Sequence, residues 1–174
     1  ILLTILWVVA LMNAVNLIDG LDGLASGISG IAAAAFLVLA LMQGQVAAAL
    51  LSAAVLGASI GFIPFNFYPA KIFLGDAGSL LFGYLLAAIS ILGPFKTTTA
   101  LTVVLPILIL GLPLFDTSWA ILRRTVAGQK VSEGDTNHVH HQLARKGLGH
   151  RGTVLVLYGI AVVLAVIAVI IGGS

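Results

Sequence analysis

The chain has 174 residues, of which 60% are hydrophobic and 8% charged, with a formal net charge of +2 and a mean hydropathy of +1.19. Soluble domains carry about 25% charged residues, so this composition excludes a water-soluble globular enzyme and points to an integral membrane protein. The absence of cysteine excludes disulfides and thiolate metal sites, which leaves Asp, Asn, His or backbone oxygen as the ligands for any metal.

A hydrocarbon core about 30 Å thick takes roughly 20 apolar residues per helical span. Six stretches qualify, at about 1–18, 24–42, 46–63, 78–93, 99–122 and 153–172. Lipid offers the backbone no hydrogen-bond partners, so each is expected to be a helix. The predicted fold class is therefore an all-α, polytopic membrane protein with about six transmembrane helices, residues 1–174 forming one transmembrane domain. Ile1 already lies inside an apolar run with no charged segment before it, so the sequence is expected to be the C-terminal portion of a longer chain.

The first span ends in "NAVNLIDGLDGLASG", residues 13–27. On a helix Asn16, Asp19 and Asp22 stand at i, i+3 and i+6, about 60° apart on one flank and about 4.5 Å further along at each step. Gly20 and Gly23 leave the backbone open to a ligand. Such an oxygen-rich flank suits Mg²⁺, which takes a few carboxylates and completes its shell with substrate phosphates. On the other reading the two acids solvate a helix end and cap the helix beginning at 24. Acids in an apolar-flanked turn cost several kcal/mol when they are neither paired nor functional, which favours the cation site. In the spans that follow, Gly27, Gly30, Gly57, Gly61 and Gly83 read as positions where helices pack closely.

The next constellation is "FIPFNFYPAKIFLGDAGSLLFGY", residues 62–84. Pro64 and Pro69 are expected to break the helix on either side of the aromatics Phe65, Phe67 and Tyr68, and Asp76 to stand immediately before a new span. Asp76 ahead of Ala, Gly and Ser reads as an N-cap. It reads equally as a cation ligand beside N–H groups that attract phosphate. In "PLFDTSWAILRR", residues 113–124, Asp116 is expected to pair with a basic residue or with polar groups of a neighbouring helix, and Arg123 and Arg124 to anchor the span at the membrane surface. The segment 124–152 is polar enough for an extramembrane loop. It brings His138, His140 and His141 together beside Arg145, Lys146 and Arg151. Three histidines in four residues suit a transition metal, a phosphate cradle or proton transfer, and the basic company fits anion binding better than zinc. "NHVHHQLARKGL" is expected to form a short amphipathic helix at the membrane surface.

With alternating helices the segments 19–23, 64–77 and 123–152 share one side. They hold Lys71, Arg123, Arg124, Lys130, Arg145, Lys146 and Arg151, and Lys96 falls on the other side. By the positive-inside bias the shared side is cytoplasmic. All six acids and all four histidines lie on it or in the helix turns entering it.

"NAVNLIDGLDGLASG", "FNFYPAKIFLGDAGSLLFGYLLA", "PLFDTSWAILRR" and "HVHHQL", in this order and separated by spans, resemble the polyprenyl-phosphate N-acetylhexosamine-1-phosphate transferases over essentially the whole chain. The spaced "HVHH" is similar to the GlcNAc-1-phosphate branch. The resemblance implies that a lipid phosphate, undecaprenyl phosphate, attacks the β-phosphorus of a UDP-N-acetylhexosamine, giving lipid-diphospho-sugar and UMP at the start of cell-envelope polysaccharide synthesis. It implies a bacterial plasma membrane, an active site facing the cytoplasm, Mg²⁺ or in its place Mn²⁺, surrounding membrane lipid, no nucleic acid, and a homodimer. Carried over by motif position, Asp76 resembles the main Mg²⁺ ligand, with Asn16 or Asp19 completing the site. Asp22 resembles the residue that holds the uracil edge, Phe73 the aromatic that stacks on the base, and Asn66 an Asn lining the nucleotide site. His138, His140 and His141 would contact diphosphate or sugar with Arg145 beside them, and Asp19, Asp76 and the three histidines make up the expected catalytic set.

Two departures qualify the resemblance. Thr136 stands where the branch often has a basic residue before the histidines, and the chain has no adjacent pair of acids, which the family carries on an earlier cytoplasmic loop. Residues 1–174 alone are therefore expected to show no turnover. Three rival readings are a cation- or proton-coupled transporter, an intramembrane aspartyl protease and an inactive structural fragment. The transporter would want its acids near mid-span, and the protease leaves Asn16, Asp22 and the histidines unexplained.

Overall fold

A computed structural model describes residues 1–93, 99–126 and 148–173. They form seven helices and, among the described residues, no strand: α1 (Leu2–Ile18), α2 (Leu24–Met42), α3 (Val46–Asn66), α4 (Gly75–Leu92), α5 (Thr99–Ile109), α6 (Gly111–Val126) and α7 (Gly149–Gly173). Four of them, α2, α3, α4 and α7, are long and apolar enough to cross a membrane. The protein is an all-helical, multi-pass membrane protein.

The expected span at 99–122 is two helices in tandem. Pro113 has no N–H to offer the Ile109 carbonyl. The chain therefore turns at Leu110, although Leu110 still donates to Pro106 O (2.9 Å) and accepts from the Leu114 N–H (3.1 Å). A second correction concerns Pro64, which lies inside α3 and does not end it. The last turn survives the missing bond because the Phe67 N–H reaches Ile63 O at 2.8 Å and Asn66 is tied down beyond it.

Helix α1 packs antiparallel to α4, and three contacts set the register. Trp7 Nε1 donates to Ser90 Oγ at 2.8 Å near one end. At the middle, a Cβ on Gly83 would stand 2.6 Å from Met12 Cα. Asn16 meets Ser79 near the other end. Helix α2 is the most enclosed, with α3 antiparallel on one side, where Gly30 faces Ser59, and α7 parallel on another, where Gly27 faces Tyr158 and Leu39 faces Gly172. Gly27, Gly30 and Gly83 are the close-approach positions the sequence suggested. Gly57 and Gly61 are not, since a Cβ there would meet nothing within 4 Å. These two sit on the outer face of α3, where Leu50 is 68% and Ile60 61% exposed, as suits a lipid-facing surface.

Asp116 and Arg124 of α6 are both buried, 3% and 7% exposed. Arg124 is thus enclosed by protein. Helix pairing brings the 19–23 turn, the 67–74 loop, the first turn of α4 and the first turns of α7 to one end of the bundle.

Candidate active site

The site is assembled where α1 gives way to α2. Helix α1 stops at Ile18, with Asp19 as its C-cap. Asn16 is therefore on the helix, while Asp19 and Asp22 belong to the turn, and the single helical flank expected for all three is replaced by a helix end with a turn folded over it. Gly23 closes the turn in the left-handed region, φ +82°, a conformation glycine enters without a Cβ penalty. Asp22 does not cap α2, whose N-cap is Gly23 with no side-chain bond. Its Oδ2 instead accepts the Ala70 N–H at 3.0 Å, which ties the acid turn to the loop after α3.

Asp76 arrives from the other motif. It is not a cap but sits inside the first turn of α4, with Leu74 before it as N-cap and no side-chain cap bond, so its carboxylate is free to face α1. Asn16 Nδ2 donates to Asp76 Oδ1 at 3.1 Å and to Ser79 Oγ at 2.9 Å. Two motifs 60 residues apart are thereby joined through one carboxamide, and its carbonyl oxygen is the atom able to face a cation. Burial, and behind it the charges of Asp76 and Asp22, push the Asp19 carboxyl from the ordinary 3.8 up to about 7. The Asp19 carboxyl is thus opposed by two neighbouring charges, which a cation would offset. Among the described residues no three Asp, Glu or His side chains converge closely enough to cage a metal.

Asn66 is buried, 2% exposed, with its carboxamide engaged by protein. Oδ1 accepts from Gly23 N–H (3.2 Å) and Ser26 Oγ (2.8 Å), and Nδ2 donates to Ile72 O (3.0 Å). Phe73, next in the same loop, is 74% exposed and can present its ring to a planar ligand. Beyond it the loop meets α7: His150 stacks on Tyr68 with ring centroids 4.3 Å apart, and Arg151 Nε donates to Tyr68 O at 3.2 Å. His138, His140, His141 and Arg145, and the amphipathic helix expected around them, lie outside the described residues.

Ser79 and Tyr158 were not singled out by sequence reasoning. Ser79 had a signal: it follows Asp76 by three residues, so on a helix both face the same neighbour. Tyr158 had a weaker one, an aromatic hydroxyl nine residues into an apolar helix, too deep for an interfacial aromatic.

The family model for glycosyl transferase family 4 matches residues 1–94, which carry the acid turn, the Asn66 loop and Asp76. The chain belongs to this family. A Bacillus subtilis (strain 168) protein carrying the name "Probable undecaprenyl-phosphate N-acetylglucosaminyl 1-phosphate transferase" is 47% identical over 169 residues, 97% of this chain and 47% of that protein. A Mycobacterium tuberculosis decaprenyl-phosphate N-acetylglucosaminephosphotransferase is 38% identical over 129 residues, 63% of this chain and 30% of that protein. The phospho-N-acetylmuramoyl-pentapeptide-transferase of Limosilactobacillus fermentum is 55% identical over 90 residues, 52% of this chain and 28% of its own length. This glycosyl transferase family 4 chain thus spans about half the length of the first relative and under a third of the other two.

Proposed function

We propose that the protein transfers an N-acetylhexosamine 1-phosphate, GlcNAc 1-phosphate, from a UDP-sugar to undecaprenyl phosphate, with UMP as the second product. The observation that carries this reading is the Asn16 bridge to Asp76 beneath the Asp19–Gly23 turn. It assembles an oxygen-rich, cation-demanding site at one end of a membrane bundle, where a lipid phosphate and a water-borne nucleotide can meet. The names of the relatives, which act on polyprenyl phosphates and N-acetylglucosamine, support the same substrates. In the sequence, the segments expected on this side hold seven of the eight basic residues, which supports a cytoplasmic orientation.

In this reading a non-bridging oxygen of the lipid phosphate forms a new P–O bond to the β-phosphorus. The bond from that phosphorus to the bridging oxygen breaks, and UMP leaves with the electron pair. Phosphoryl transfer of this kind demands positioning and charge neutralisation more than covalent help. Mg²⁺, held by Asp76 with Asn16 Oδ1 or Asp19, would supply the neutralisation. Asp22, whose carboxylate accepts the Ala70 N–H, and the exposed Phe73 ring would hold the uracil edge and face. The histidines and Arg145 would meet the diphosphate or sugar. The transporter reading would need acids in mid-span, whereas Asp19 and Asp22 lie in a turn and Asp76 in a first helical turn.

The test is UMP release from UDP-GlcNAc by the protein expressed from its whole reading frame, in detergent, with undecaprenyl phosphate and Mg²⁺ each present or omitted, beside Asp76→Asn. Release that needs both additions and is lost in the variant is the expected result. No release with any UDP-hexosamine overturns the proposal.

A further inference from the structure

The carboxylates Asp19 and Asp22 are carried by a turn, which has little rigidity of its own, so something must fix it against Asp76. Its last peptide units are gripped from two sides. The Gly23 N–H donates to the buried Asn66 Oδ1 at 3.2 Å. The Gly23 carbonyl accepts the hydroxyl of Tyr158, 135 residues away on α7, as well as the first helical bond of α2 from the Gly27 N–H at 3.0 Å. A half-buried tyrosine hydroxyl between apolar helices still needs a partner, and this one is directed at the peptide that closes the acid turn. Room for it is made on the facing helix, because a Cβ on Gly27 would overlap the tyrosine ring and hydroxyl. A Cβ on Gly23 would press on Phe67, at 3.0 Å from Cδ2 and 3.3 Å from Cα.

We propose that Tyr158 is a positioning residue for the acid turn: through the Gly23 carbonyl it sets how far Asp19 and Asp22 stand over Asp76, and hence how tightly the site takes its divalent cation. Tyr158 touches neither cation nor substrate in this scheme, which rests on the transferase reading above for its consequence in turnover but not for its consequence in metal binding.

Tyr158→Phe keeps the ring and removes the hydroxyl alone. Loss of one half-buried hydrogen bond is expected to raise the half-saturating Mg²⁺ for UMP release roughly three- to tenfold, while kcat at saturating Mg²⁺ changes by less than about twofold. Binding of Mn²⁺, followed without turnover by the paramagnetic resonance of the free ion, is expected to weaken by roughly the same factor. A variant that melts earlier but keeps the wild-type Mg²⁺ requirement and Mn²⁺ affinity would overturn the proposal, because Tyr158 would then only pack. If the wild type binds Mn²⁺ yet releases no UMP, the transferase reading falls and the Mn²⁺ comparison still decides the role of Tyr158. If the wild type binds no Mn²⁺, the acid turn is not a cation site and the positioning role falls with it.

Discussion

Gly83→Ala tests whether the α1–α4 crossing sets the geometry of the site. The added Cβ would lie 2.6 Å from Met12 Cα, 2.7 Å from Leu11 O and 3.0 Å from Met12 N. These are backbone atoms, so no rotamer relieves them. Carbon atoms rest about 3.5 Å or more apart, so the two helices must part by about 1 Å. Ser79 lies about one turn from Gly83. Even half of that shift carries the 3.1 Å bond from Asn16 to Asp76 to about 3.6 Å, past useful hydrogen-bond length. Overpacking costs about 1–3 kcal/mol, and the helix preference of alanine over glycine returns about 1 kcal/mol of it. The weakened bond to a carboxylate adds about 1 kcal/mol. The net of about 2 kcal/mol lowers the melting midpoint by about 4–8 °C for a chain of this size. Thermal unfolding in detergent, followed by the fluorescence of Trp7 on α1, reads that change, and UMP release should fall by more than about tenfold because the distortion reaches the site. Gly57→Ala and Gly61→Ala are the controls. With nothing within 4 Å of either Cβ, both should melt at or above the wild-type temperature. A Gly83→Ala protein as stable and active as wild type, or controls that fall equally far, would refute the reasoning.

Because the Asp19 carboxyl is raised from 3.8 to about 7, the folded, metal-free protein holds a proton there that the unfolded chain gives up. Stability should therefore fall as pH rises from about 4 to about 7. Mg²⁺ should reverse the loss above pH 7, and melting curves at pH 5 and pH 8 with and without Mg²⁺ should lose this pattern in Asp19→Asn. Asn66→Ala strips partners from the Gly23 N–H, the Ser26 hydroxyl and the Ile72 carbonyl, which should cost about 2–4 kcal/mol and show as a sharply lower midpoint; an unchanged midpoint would mean that water replaces the carboxamide. Phe73→Ala should leave the midpoint unmoved, since the ring is largely exposed, yet raise KM for the UDP-sugar by about tenfold if the ring stacks on the base.

The helices were legible because apolar run length is a direct reading of bilayer thickness, and α2 has the bounds the sequence suggested. The joints were less so. Asn16, Asp19 and Asp22 satisfy helical spacing, but spacing does not say where a helix stops, and the stop here depends on Gly23 entering the left-handed region under the grip of Asn66. Asp76 looked like a cap because its neighbours are cap-like. Its role is decided by Asn16 from another helix, a long-range fact that no local pattern encodes. Proline misled in both directions, breaking nothing at Pro64, where Asn66 fastens the last turn, and dividing a span at Pro113, where the Ile109 carbonyl loses its donor.

The glycines sort the bundle into what is structural and what serves the site. All five suggested close-packing positions look alike in sequence, yet only three of them meet a neighbour, and two of those bear on the acid turn from opposite sides. Gly83 lets α1 approach α4 until Asn16 reaches Asp76, while Gly27 admits the Tyr158 hydroxyl to the peptide that ends the turn. Asp19 and Asp22 lie between these two joints, on a turn that no helix holds. Asp19, whose carboxyl is opposed by the charges of Asp76 and Asp22, can be kept beside them only if both ends of that stretch are fastened, because otherwise the turn would swing outward and relieve the opposition without a cation. Loosening either joint should therefore weaken cation binding before it unfolds the protein, and loosening both should cost less than the sum of the two, since a turn released at one end gains little from release at the other.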